Sequence, residues 1–142
     1  DWSSDVCSSD LRIQKIITLW GLVLAGFLAH NIADLLPIFW AVDVAVEHAE
    51  EAPVGMMAFM AIITYTLPAV GIVTTMYGRG RRGAALVNIL AAIMALFNVL
   101  HDGGELIMAF NPVQVFVLPF VLCFSILLAL ESFKWYKEMG AE

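Results

Sequence analysis

Two short stretches of this chain place a histidine and a carboxylate four residues apart: His30-Asn31-Ile32-Ala33-Asp34 and His101-Asp102-Gly103-Gly104-Glu105. On a helix, positions i and i+4 share a face. A neutral imidazole and a carboxylate there can ligate one metal ion. Two such helices would supply four ligands, His30, Asp34, His101 and Glu105, enough for zinc or a non-haem iron. Asn98 stands one turn before Asp102 and would support the ligands from behind. Asp102 is then the candidate general base toward a metal-activated water, which would make the site catalytic. The same groups can instead relay protons or bind a cation for transport. They can also pair with each other and simply tie helices together.

The segments that carry these residues are very apolar. Of the 142 residues, 61% are hydrophobic and 14% charged, and mean hydropathy is +0.87. A water-soluble domain of this size cannot bury so much apolar surface. Uncharged runs cover 16–33, 52–78, 83–100 and 106–130, each long enough for a spanning helix. Backbone groups in lipid must be satisfied within their own segment, and no alternation suited to a barrel is present. The fold class is therefore all-α, a polytopic membrane protein. Its four helices, 14–38, 54–77, 83–109 and 113–136, form one bundle and one domain over 12–142. Pro37, Pro68 and Pro119 are candidate kinks.

Residues 1–11, Asp1-Trp2-Ser3-Ser4-Asp5-Val6-Cys7-Ser8-Ser9-Asp10-Leu11, resemble the translation of a sequencing adapter and stand apart as a non-native tail. On that reading the native N-terminus is missing. Setting the tail aside leaves seven bases against ten acids, a net charge of −3 rather than −6. It also leaves Cys123 as the one thiol, so redox compartment cannot be read from cysteines.

Charge placement orients the helices. Arg12 and Lys15 precede the first span, Arg79, Arg81 and Arg82 lie between the second and third, and Lys134 and Lys137 close the fourth. With four spans these three places share one side. The positive-inside rule makes that side cytoplasmic, with both termini there, in a bacterial-type plasma membrane. Asp43, Glu47, Glu50 and Glu51 occupy the opposite side. Residues 42–52 there suit a short interfacial helix ended before Pro53. Asn111-Pro112 marks the second turn on that side. Bases confined to one face give no support for nucleic-acid binding. The partners to expect are the lipid bilayer and a second membrane protein or another copy of the chain.

Helical rise sets the depth of the candidate residues. From Ile16, His30 lies about 21 Å and Asp34 about 27 Å along the axis; from Ala84, His101 lies about 26 Å and Glu105 about 32 Å. A hydrocarbon core is about 30 Å thick, so both pairs fall in its outer third. Spans one and three run in the same direction, as a parallel repeat of two helical hairpins would make them. On span three, Asn88, Ala91, Ala95, Asn98, Asp102 and Glu105 form a small and polar stripe suited to face neighbouring helices. Gly103-Gly104 either ends that helix or distorts it locally. Little in the inner half of any span is ionisable, Glu131 near the inner interface excepted, which counts against a conduction path.

His30-Asn31, Asn98-x-x-His101, Asn111-Pro112 and Leu118-Pro119 resemble the family of small integral membrane proteins named for a His-x-x-Glu-Glu motif. Where that family has two glutamates this chain has Ala33-Asp34, so one acid is retained. The resemblance implies a helical membrane protein with a polar site and brings no established activity. Three functions therefore stand side by side: a metal-binding, enzymatic site; a proton- or ion-coupled transport module; and a small accessory subunit.

Overall fold

The computed structural model describes residues 2–44, 53–108 and 111–140, the side chains of residues 2–9, 106 and 108 excepted. Helix α1 runs Trp2–Leu35 and passes into a 3₁₀ turn, Leu36–Trp40. Helices α2 (Val54–Ala61) and α3 (Leu67–Tyr77) form one rod through a π turn at Ile62–Thr66; α4 spans Gly80–Met108; a 3₁₀ turn at Gln114–Phe116 leads into α5, Leu118–Glu138. Among the described residues there is no strand. Four helical stretches are long and apolar enough to cross a membrane: Asp10–Trp40, Val54–Tyr77, Gly80–Glu105 and Gln114–Glu138. The expected interfacial helix over 42–52 lies outside the described residues from 45 onward, and 42–44 carry no regular structure.

Each helix buries one stripe. On α1 it is Ile16, Trp20, Val23, Phe27, His30 and Ala33; on α4 it is Ala84, Val87, Ala91, Met94, Asn98 and Asp102. These spacings of three and four keep one seam facing inward along the whole rod. Helix α1 packs on α3 and α5, and α4 packs on the same two. Helices α1 and α4 therefore face each other across the bundle, and their side chains meet in its centre. Small residues set the approach: a Cβ at Gly71 would run into the Trp20 indole, and one at Gly26 into Val121. Gly78 and Gly83 touch backbone to backbone, and Gly80 takes a positive φ of 61°, so α3 turns directly into α4.

The prolines act at helix starts and at the π turn. Pro119 sits in the first turn of α5, where the missing N–H has no helical acceptor to lose, and Pro37 stands where α1 passes into the 3₁₀ turn. Pro68 follows the π turn. Its ring would crowd the Thr64 carbonyl in a regular α-helix, and the widened turn relieves that contact. The Thr64 and Thr75 hydroxyls donate to their own helix, at Met60 O and Gly71 O.

One end carries the bases. There Arg12 bridges Glu131 and Glu138, each at 2.8 Å, and Lys134 reaches Glu131 at 2.6 Å, joining the start of α1 to the end of α5. Arg81 lies over the Tyr136 ring, 5.4 Å from its centroid. The histidines lie at the other end.

Candidate functional site

The buried stripes of α1 and α4 are apolar for most of their length and turn polar at the same end. His30 ends the α1 stripe with Ala33, while Asn98 and Asp102 end that of α4. The two helices run in the same direction, so these polar positions meet at one level. The His30 and His101 rings lie 5.4 Å apart, edge to face. The His101 ring stacks on Phe97 at 5.2 Å, and Phe97 packs against Phe27 and Phe59. An aromatic wall thus backs the histidine pair.

The acids divide differently from the sequence spacing. His101 Nδ1 lies 3.2 Å from the Asp102 carboxylate, the geometry in which Nδ1–H donates. Glu105, the expected i+4 partner, is only half-buried and makes no ion pair among the described residues. His30 Nε2 lies 3.6 Å from Asp34, too far for a hydrogen bond. The Asp34 side chain is 48% exposed and accepts a hydrogen bond from Gln114 Nε2 at 2.5 Å. The same Gln114 nitrogen donates to the His30 carbonyl at 3.3 Å. A residue of the turn before α5 therefore closes over the end of α1.

The four-ligand metal centre expected from His30, Asp34, His101 and Glu105 does not form. No group of three or more His, Cys, Asp or Glu side chains among the described residues is placed to hold a metal ion. Asp34 is half-exposed and held by Gln114, and the His101 ring turns to Asp102 rather than to Glu105. His48, Glu47, Glu50 and Glu51 lie outside the described residues.

Its burial makes Asp102 more informative. Asp102 and Asn98 are both 0% exposed. Asp102 Oδ2, both amide atoms of Asn98, Gln114 Oε1 and His30 Nδ1 are buried without any hydrogen-bond partner. A buried polar atom left unpaired costs about 1–3 kcal/mol, so five around one pair of rings is a concentrated penalty. Below this level the seam returns to Phe27, Met94 and Val121. The next hydroxyl, Ser125, donates to its own helix at Leu122 O. An apolar layer closes the bundle beneath the polar group.

No family model matches the chain, and neither a curated protein nor a solved structure matches it. The site has to be read from its own chemistry.

Sequence reasoning located His30, His101, Asn98 and Asp102 and missed Gln114 and the Asn31–Tyr65 pair. Asn31 Nδ2 donates to the Tyr65 hydroxyl at 2.7 Å, linking α1 to the π turn. A signal for Gln114 existed: with Asn111 it is one of two carboxamides inside the uncharged run 106–130. The Gly103-Gly104 pair does not end α4. The helix continues to Met108, and a Cβ at either glycine would meet nothing within 4 Å.

Proposed function

We propose that this is an integral membrane protein, with both termini cytoplasmic, whose histidine end holds a one-sided binding site for a small polar ligand. The lipid-facing character follows from the surface. Leu28, Ile32, Val73, Ile89, Leu96 and Leu130 are all exposed. Apolar cover on every helix far exceeds the few hundred Å² a soluble monomer tolerates. The seven bases at one end supply the orientation.

The observation that carries the site is the set of five unpartnered buried polar atoms around His30 and His101. Polar groups at membrane depth are costly and mark function by default. The apolar layer beneath them favours a pocket served from one side over a conduction path, which needs polar partners across the whole span. The buried His101–Asp102 contact favours a second, purely structural reading, in which these groups only fasten helices.

Two experiments test the proposal. Cysteines placed at Val42 and Arg79 in intact cells report sidedness: an impermeant maleimide should label the first and spare the second, and the reverse pattern overturns the orientation. In nitrogen-labelled protein in sealed vesicles, a pH step on the histidine side should move the imidazole signals of both His30 and His101. The same step on the basic side should move neither. Imidazoles silent to both steps would leave only the structural reading.

A further inference from the structure

We infer that the ligand is a small cation carrying N–H donors, a primary ammonium group, and that the Gln114 side-chain amide occupies its place in the closed site. The inference rests on reading the histidine end as a binding site and names the class of its ligand.

The argument begins with what Gln114 touches. Its side-chain nitrogen is held by a carboxylate, Asp34, and by a backbone carbonyl, His30. Gln114 itself is 1% exposed. A buried N–H donor between a carboxylate and a carbonyl is the arrangement an ammonium group takes. A neutral amide satisfies the two acceptors only in part, because it brings no positive charge to the carboxylate. The carbonyl also belongs to the last turns of α1, where the helix dipole presents its negative end and favours a cation.

All seven Lys and Arg residues are at the far end of the bundle. Asp34, Asp102 and Glu105 belong to the histidine end, and among the described residues only the imidazoles of His30 and His101 can balance them there. Of the five unpartnered atoms here, three are oxygens that accept, Gln114 Oε1, Asn98 Oδ1 and Asp102 Oδ2, beside Asn98 Nδ2, which donates, and His30 Nδ1. The acceptors outnumber the donors and suit a group that donates hydrogen bonds. A metal ion is disfavoured because no three-ligand group is formed among the described residues.

Access follows from exposure. Asp34 faces the exterior with half of its side chain, whereas Asn98 and Asp102 are fully covered. A ligand meets Asp34 first and displaces the Gln114 amide from it. The released Gln114 then swings with the short 3₁₀ turn that carries it. Ligand and Gln114 compete for the same two acceptors, so the affinity of the native chain is set partly by its own side chain.

The test uses the full chain in nanodiscs of phosphatidylcholine and phosphatidylglycerol, which lack primary amines. Gln14 and Gln114 are the two glutamines of the chain, so side-chain amide signals assign simply. Ammonium chloride and methylammonium chloride should shift the Gln114 amide saturably. Sodium chloride and tetramethylammonium chloride, which have no N–H, should not. Read at the His30 and His101 imidazole signals, Gln114→Ala should bind ammonium about tenfold more tightly and Asp34→Asn about tenfold more weakly. A Gln114 signal unmoved by ammonium, or moved equally by sodium, overturns the inference; so does a folded Gln114→Ala protein that binds no better. If that variant does not fold, the native titration decides alone. Adding phosphatidylethanolamine separates the sources: a shift without free ammonium assigns the group to a lipid headgroup, and a shift only with ammonium assigns it to a free amine. Imidazoles that respond to the pH step while Gln114 ignores ammonium would refute the ligand class and leave the binding site standing.

Discussion

The two ends of the bundle treat charge in opposite ways. At the basic end, Arg12 holds two glutamates and Lys134 supports one of them, at the rim of the protein. At the histidine end, a carboxylate and an amide are driven fully inside and five polar atoms lack partners. One end is arranged for cohesion. The other holds polar groups where cohesion alone would have placed leucine or alanine. Arg12 Nε and Trp20 Nε1 are also buried without a partner, but five such atoms gather at the histidine level alone, and a penalty concentrated at one level of a bundle is the usual mark of a site.

Substitutions at the two ends should therefore differ in sign. The largest effect is expected from Asn98→Leu, which removes two unpartnered buried atoms while keeping the same branched heavy-atom skeleton. It should stabilise the protein by about 1–3 kcal/mol, read as a higher midpoint of unfolding in mixed detergent micelles. Destabilisation instead would mean that Asn98 is satisfied, and the contrast between the ends would collapse. Arg12→Ala should destabilise by on the order of 1 kcal/mol, and the loss should shrink as salt is added. A salt-independent loss would point to packing of the arginine stem rather than to its charge. Gly104→Ala should stabilise by up to about 1 kcal/mol, since the position is helical and open. A loss of stability there would show that α4 needs its glycine for motion at the histidine end. The smallest change is expected for Tyr65→Phe, about 0.6 kcal/mol destabilising through the lost bond from Asn31.

Much of the architecture was legible before any coordinate. Uncharged runs located the four helical stretches because a segment facing apolar surroundings on all sides tolerates few charges. The polar stripe of the third span put Asn98 and Asp102 inside, and both are. Asn88 and Ala95 proved to lie at the margin of that stripe, because the buried seam runs through their neighbours Val87 and Met94 instead. The pairing of acids was not legible. Spacing places Asp34 and Glu105 on the same face as their histidines, but it cannot say how far each helix is rotated about its own axis. Asp34 came out half-exposed, and the His101 ring turned to the adjacent Asp102 rather than to Glu105. Gln114 was hidden for another reason: its role depends on the end of α1, eighty residues earlier in the chain. The π turn had only Pro68 as a signal, and proline announces a disturbance without specifying its form.

The contact between Gly78 and Gly83 has a practical consequence for anyone mapping sidedness. The loop between α3 and α4 offers no slack, since even a single methyl group at either glycine would push the two helices apart. Reporter fusions, epitopes or protease sites grafted there would pry open the hairpin and report on a damaged molecule. Such probes belong beyond α5, at the exposed Gly140.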